Sequence, residues 1–180
     1  MKKNSEKELL SVARHIKVVI IDVDGVLTDG SITLDNEGNE FKSFHVRDGH
    51  GIKMLIRAGF IVAMITGRYS KVVERRASEL GITEVYQGCR DKRVPYHHLL
   101  KKYSVDSGKV AYMGDDIVDL SLLQGVGFSV VVADAAAEAK SAAMMITKSK
   151  GGRGAVREVC DFLLKAKGLW EGIIDEYSQA

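Results

Sequence analysis

The chain has 180 residues, of which 46% are hydrophobic and 28% charged, with a formal net charge of +2. That length supplies one domain with a full core, and so small a net charge excludes the electrostatic footprint of a nucleic-acid or membrane-surface binder. No apolar run has the length of a membrane span. The charged start Met1-Lys2-Lys3-Asn4-Ser5-Glu6-Lys7-Glu8 is not expected to be a secretory signal, and Cys89 and Cys160 are too few for a disulfide framework, so a cytoplasmic setting is expected.

Residues 1–16 read as an N-terminal extension. Val18-Val19-Ile20-Ile21 then forms an unbroken β-branched run, the pattern of a strand buried on both faces of a parallel sheet. Asp22 and Asp24 emerge where this strand ends, on one side of the chain by period-2 alternation, with Val23 turned away. Residues 31–46 read as two strands around the polar turn Asp35-Asn36-Glu37-Gly38-Asn39, a β-hairpin projecting over the carboxyl end of the first strand. A helix follows, expected to begin near His50, with Ile52, Leu55 and Ile56 on its apolar face.

The next strands are Ile61–Ile65, Glu84–Gln87, Val110–Met113 and Phe128–Val132, with Met144–Thr147 the weakest. Helical faces lie between them: Val72, Val73, Ala77 and Leu80, then Leu99 and Leu100, then Leu120, Leu122 and Leu123. Gly59, Gly81 and Gly125 stand where helix C-caps belong. Lys92 opens one helix, and Pro95 sits in its first turn, where proline is tolerated. After Gly151-Gly152-Arg153-Gly154 a helix is expected from about Ala155 to Lys167, and the tail 169–180 is amphipathic at best. Alternating strands and helices predict βαβ units with right-handed crossovers, an α/β fold of three Rossmann-like layers.

Every polar cluster in this pattern falls at the carboxyl end of a predicted strand, and these ends share one rim of the sheet, where ligands bind in open α/β folds. Asp22 and Asp24, Thr66-Gly67-Arg68, and Gly114-Asp115-Asp116 meet there, with Lys92 beside them. Asp22, Asp24 and Asp115 form a hard oxygen site suited to Mg²⁺, and no His or Cys pair has zinc spacing. A carboxylate beside Mg²⁺ can attack phosphorus, and a second carboxylate two residues on can protonate the leaving oxygen and then activate water. Lys92 would offset phosphoryl charge, and Thr66 would hydrogen-bond a phosphoryl oxygen.

Asp22-Val-Asp24-Gly-Val, Thr66-Gly-Arg68, Lys92 and Gly114-Asp115-Asp116-x-x-Asp119, in this order, resemble the four motifs of the haloacid dehalogenase superfamily of phosphatases. The resemblance implies Asp22 as nucleophile and Asp24 as general acid/base, with a backbone carbonyl of Asp24 and the carboxylates of Asp22 and Asp115 on magnesium. Asp116 and Asp119 would stand behind those ligands, with an ordinary helix-surface or capping role as the alternative for Asp119.

Phe44-His45-Val46-Arg47-Asp48-Gly49-His50-Gly51-Ile52 and Gly151-Gly152-Arg153-Gly154-Ala155-Val156-Arg157-Glu158 narrow the resemblance to the 3-deoxy-D-manno-octulosonate 8-phosphate phosphatases. These act in biosynthesis of the lipopolysaccharide inner core, lack a separate cap domain, and form tetramers in which a neighbour's hairpin and tail help close each site. Fewer than fifty residues separate Asp22 from Thr66, too few for a large cap beside a hairpin and a helix. The resemblance implies one capless domain over residues 17–168. It also implies substrate contacts from Asp24, His45, Val46, Arg47, Asp48, Gly49, Lys53, Arg68, Arg76 and Lys92. Among these, Arg47, Lys53, Arg68, Arg76 and Lys92 are cations on or near the rim, as a substrate with both phosphate and carboxylate requires.

The Gly151–Gly154 run lacks the Lys-Ser/Thr end of a nucleotide loop, and a flexible strap reaching a neighbouring site, with Arg153 as its cation, is expected instead. Two alternatives stand beside the eight-carbon substrate: a nine-carbon sialic-type acid 9-phosphate, and a non-catalytic receiver-like phospho-acceptor. The second has no use for Asp24.

Overall fold

The computed structural model describes residues 5–179; residues 1–4, within the expected N-terminal extension, and residue 180 lie outside the described residues. Six parallel strands form the main sheet: β1 (Val18–Ile21), β4 (Ile61–Ile65), β5 (Glu84–Tyr86), β6 (Val110–Gly114), β7 (Phe128–Val131) and β8 (Met145–Ile146), in the order β5-β4-β1-β6-β7-β8. β1 is buried along its whole length, as its β-branched run requires, and pairs in parallel with β4 on one side and β6 on the other. The chain winds outward from β1 in both directions, so the strand order reverses there. A crevice must open beyond the carboxyl ends of β1 and its neighbours.

The flanking helices are α1 (Glu6–Ala13), α2 (Val46–Arg57), α3 (Lys71–Leu80), α4 (Arg93–Tyr103), α5 (Leu120–Leu123), α6 (Ala137–Ala142), α7 (Ala155–Ala166) and α8 (Trp170–Gln179). α7 is the hub of one layer, packed on α1 and α2, with Val156, Val159, Cys160, Leu163 and Leu164 buried. The N-terminal segment is part of this packing, since Ala13 and Ile16 are fully buried and Ser5 and Glu8 close a capping box on α1. The tail forms a ten-residue helix, held by Tyr177, whose hydroxyl lies 2.8 Å from His50 Nε2.

Three local readings are corrected. α2 starts at Val46 rather than near His50, because Gly49 and Gly51 serve packing inside the helix. A Cβ at Gly49 would fall 2.4 Å from the Arg76 guanidinium, and one at Gly51 would fall 3.0 Å from Cys160. Gly125 is not a left-handed cap: α5 ends at Leu123, and Gly125 N–H simply returns to the Leu122 carbonyl. Gly59 and Gly81, by contrast, do take positive φ after α2 and α3. The hairpin strands are only β2 (Thr33–Leu34) and β3 (Glu40–Phe41), around a turn clamped by Asp35, which accepts the Glu37 and Asn39 amides.

Candidate active site

Asp22 leaves β1 almost fully buried, its Oδ1 accepting the Val23 amide at 2.7 Å. The chain then turns through Gly25, whose φ of +85° and lack of a Cβ both matter. A Cβ there would fall 2.1 Å from Asp115 Oδ2, so the glycine lets the β6 carboxylate lie directly against the β1 loop. The Thr28 hydroxyl tightens this loop by accepting the amides of Gly25 and Gly30.

Lys92 precedes the first turn of α4 and is nearly as buried as Asp22. Its ammonium donates to Asp22 Oδ2 at 2.6 Å and to Asp119 Oδ1 at 2.6 Å. Burial alone would push its pKa down; the two carboxylates outweigh that and hold it above the ordinary lysine value. Asp119 is fully buried. Besides Lys92 it accepts the Tyr112 hydroxyl and the amides of Asp115 and Asp116, at 2.9 and 3.2 Å. It is therefore a fixed brace beneath the β6 loop and not a helix-surface carboxylate. Gly114 makes room for it, since a Cβ there would stand 2.5 Å from Asp119 Oδ2. Asp116, exposed, caps the short 3-10 turn 117–119.

Asp22, Asp115 and Asp119 each place one oxygen within 4.8 Å of the others. Burial pushes Asp22 up to about 6 against the pull of Lys92, and burial together with the charges of Asp22 and Asp119 pushes Asp115 up to about 7. Like charges gathered this closely favour a divalent cation with oxygen ligands, and the donor set fits Mg²⁺. Asp119 is already engaged by four donors, Lys92, Tyr112 and the amides of Asp115 and Asp116, while Asp22 and Asp115 are the other two carboxylates of the group.

Thr66 follows β4, buried, its amide donating to the Tyr86 carbonyl and its carbonyl accepting the Cys89 amide at 3.0 Å. These bonds tie the loop after β4 to the loop after β5. Thr66, Arg68, Cys89 and Arg90 thereby line one cavity of about 250 Å³ with Asp22, Asp24, Lys92, Asp115 and Asp116. The Asp24 side chain is held from the hairpin side. Lys42 donates to its Oδ1, Arg68 Nε stands 3.9 Å from its Oδ2, and Glu40 bridges the two cations, 3.3 Å from Lys42 and 2.8 Å from Arg68. Sequence reading missed Lys42, Glu40, Arg90 and Tyr112. Glu40 and Lys42 alternate on one face after the hairpin turn, a signal that was available; Tyr112 lay hidden in an ordinary strand.

A profile of haloacid dehalogenase-like hydrolases matches residues 70–159. A 3-deoxy-D-manno-octulosonate 8-phosphate phosphatase of Yersinia pestis is 49% identical over 165 residues, covering 92% of this chain and 88% of that protein. The chain belongs to this phosphatase family. The Escherichia coli K12 family member is 47% identical over 161 residues, covering 89% of this chain and 86% of its own. A crystal structure of the Moraxella catarrhalis family member, in complex with magnesium, phosphate and KDO, superposes with a TM-score of 0.93. It is 42% identical and covers 95% of this chain and 98% of that one.

Only some of the residues that the family resemblance implied line this cavity. Asp22, Asp24, Thr66, Arg68, Lys92 and Asp115 do. His45 to Gly49, Lys53 and Arg76 do not. The Asp48 carboxylate, 1% exposed, accepts the Arg157 and Gly154 amides at 2.7 and 3.3 Å and so caps α7. Arg76 lies over the Phe44 ring, 5.7 Å from its centroid, and beside Glu79. Val46, Arg47 and Lys53 are exposed, and His45 Nδ1 is buried without a hydrogen-bond partner among the described residues.

The expected flexible strap is instead seated on the β1 loop of the same chain. Gly152 N–H donates to the Val26 carbonyl at 2.9 Å, Gly151 N–H to Asp134, and Arg153 pairs with Asp29 at 3.4 Å. The glycines are needed for that seat, since a Cβ at Gly151 would lie 1.8 Å from the Gly25 carbonyl oxygen.

Proposed function

We propose that this protein is a magnesium-dependent phosphatase that hydrolyses 3-deoxy-D-manno-octulosonate 8-phosphate to the free sugar acid and phosphate, through an aspartyl-phosphate on Asp22. The observation that carries this reading is the buried Lys92 ammonium on Asp22 at the cavity floor, with Asp24 two residues on. The identity to phosphatases of that name across nine-tenths of the chain supports the substrate.

In the first half-reaction the Asp22 carboxylate attacks phosphorus, the bond from phosphorus to the sugar oxygen breaks, and Asp24 gives that oxygen its proton. In the second, Asp24 takes a proton from water, the water oxygen attacks phosphorus, and phosphate leaves with Asp22 regenerated. Lys92 holds Asp22 in place and offsets the phosphoryl charge, while the Thr66 hydroxyl donates to a phosphoryl oxygen. Asp22, Asp115 and the Asp24 carbonyl would hold magnesium, which when bound supplies Lewis-acid charge to the phosphoryl oxygens. A receiver-like phospho-acceptor would leave Asp24 without a task.

The working form we propose is a homotetramer in the cytoplasm, supplying the inner core of lipopolysaccharide. The hairpin leaves Ile32, Leu34 and Phe41 more than half exposed, an apolar face suited to a second copy. From that copy, residues such as Arg47 and Lys53 would complete a neighbour's site. No helix among the described residues is long and apolar enough to cross a membrane.

The test is a phosphate-release assay on the eight-carbon and nine-carbon sugar-acid phosphates, with magnesium and with chelator, for the native chain and Asp22→Asn. Turnover of the eight-carbon ester that needs magnesium and is abolished in the variant is the expected result. Preference for the nine-carbon ester, or appreciable turnover by Asp22→Asn, overturns it.

A further inference from the structure

Tyr112 lies on β6 opposite Ile20 of β1, fully buried, the one polar side chain of a strand that otherwise reads Val-Ala-x-Met-Gly. The chemistry proposed above gives it no task. Its hydroxyl donates to Asp119 Oδ1 and lies 3.3 Å from the Lys92 ammonium, whose N–H it accepts. Asp119 Oδ1 also accepts from Lys92 at 2.6 Å, so the three groups close a triangle. An ammonium has three N–H donors, and Asp22 Oδ2, Asp119 Oδ1 and the Tyr112 hydroxyl are acceptors for all three. The direction of Lys92 is thereby fully determined. The hydroxyl can accept from Lys92 because its own proton points at Asp119. Burial, and then the charges of Asp119 and Asp22, keep that proton in place by raising the Tyr112 pKa well above the ordinary phenol value.

We infer that Tyr112 is a positioning residue: its hydroxyl fixes the Lys92 ammonium, and Lys92 in turn fixes the attacking carboxylate of Asp22. This deepens the function proposed above and rests on it. Asp22 is held at two points, by the Val23 amide on Oδ1 at 2.7 Å and by Lys92 on Oδ2 at 2.6 Å. The amide belongs to the backbone of the same turn, so the ammonium sets the plane of the carboxylate. Without the Tyr112 hydroxyl, the ammonium loses its third acceptor and Asp119 Oδ1 loses its second donor. Lys92 then moves toward Asp119, and Asp22 turns with it or loses its contact. Neither Tyr112 nor Asp119 lines the cavity, so the effect reaches the phosphoryl group only through Lys92 and Asp22. A tyrosine that merely satisfies its own buried hydroxyl would leave turnover untouched. The chain carries a control for that role. Tyr103 donates to Oε1 of the buried Glu84 at 2.7 Å, Lys102 bonds the same oxygen, and none of these three lines the cavity.

The assignment is tested by steady-state kinetics of the magnesium-loaded native enzyme, Tyr112→Phe and Tyr103→Phe, on 3-deoxy-D-manno-octulosonate 8-phosphate and on p-nitrophenyl phosphate. Misplacing a reacting group costs up to about 100-fold, so Tyr112→Phe should lower kcat about 10- to 100-fold, by the same factor on both esters. Its KM, and both constants of Tyr103→Phe, should stay within about twofold of native. Asp119→Asn cuts the triangle at another corner and gives a second reading should Tyr112→Phe fail to fold. It should lower kcat at least as far, and adding Tyr112→Phe to it should cost no more than about twofold further, because both groups act through one ammonium. Native kcat in Tyr112→Phe or in Asp119→Asn, a raised KM with kcat intact, a loss on one ester alone, or losses that multiply in the double variant would each overturn the assignment. If the native enzyme hydrolyses p-nitrophenyl phosphate and not the sugar-acid ester, the proposed substrate fails, and the role of Tyr112 is decided on the first ester.

Discussion

Replacing Lys92 with methionine probes the centre of the site. The side chain is 6% exposed and lies 2.6 Å from each of two buried carboxylates, Asp22 at 5% and Asp119 at 0% exposure. Methionine fills most of the same volume, so the loss is electrostatic: two buried negative charges face each other with their shared cation gone. Removing one partner of a buried ion pair costs about 3–5 kcal/mol. At about 2–4 °C per kcal/mol for a chain of this size, melting should fall by about 6–20 °C. The penalty also depends on pH. Asp22 already titrates at about 6, and Lys92 is the group that pulls it down. In Lys92→Met its folded pKa rises further above the ordinary value, so the variant binds a proton on Asp22 as pH falls, and the destabilisation shrinks. Urea unfolding with chelator at pH 8 and pH 5 measures both effects. A loss below about 1 kcal/mol at pH 8, or the same loss at both pH values, would refute this account. Lys92→Met combined with Asp119→Asn removes one stranded charge and should recover part of the stability; strict additivity would show that Lys92 and Asp119 are not coupled.

Two further outcomes are expected. Gly151→Ala must move either the C-terminal loop or the Gly25 carbonyl, 1.8 Å from the new methyl, and it strains the bond from Gly152 to Val26. It should cost about 2–4 kcal/mol and slow phosphate release, and a melting curve within 0.5 kcal/mol of the native one (about 1–2 °C) rules out the seat described here. Asp22 and Asp115 have folded pKa values raised to about 6 and about 7. Their contribution is fully present below the ordinary carboxylate value and is lost as pH rises through 6 to 7, so the metal-free protein weakens over that range. Magnesium needs both carboxylates ionised, so its stabilisation should grow from pH 5 to pH 8, reaching about 3 kcal/mol at a hundred times its Kd. Equal thermal shifts at the two pH values would contradict this.

Much of the fold was legible because its signals are local. β1 shows as an apolar run because it is buried on both faces, and Thr66, Lys92 and Asp115 stand at boundaries where the hydrophobic period changes. Glycine was harder to read. Gly59 and Gly81 are conformational, as their place after helices suggests, but Gly49, Gly51 and Gly151 are glycines because another backbone or side chain presses on them. Spacing along the chain carries no trace of such a neighbour. The same holds for Asp119, whose role depends on Lys92, 27 residues before it, reaching the same buried point.

By itself the sequence determined the parallel α/β sheet and the meeting of two aspartates, a threonine, a lysine and a third aspartate at its rim, because strand ends on one edge of a parallel sheet converge whatever the loops do. Tertiary structure alone decided which side chains are spent on holding the site. Asp119 braces the β6 loop, Asp48 caps α7, Lys42 and Glu40 reach in from the hairpin to Asp24 and Arg68, and Arg90 lines the same cavity with no ion-pair partner among the described residues. Those assignments follow from burial and from distances between residues far apart in the chain, and a linear pattern does not encode either.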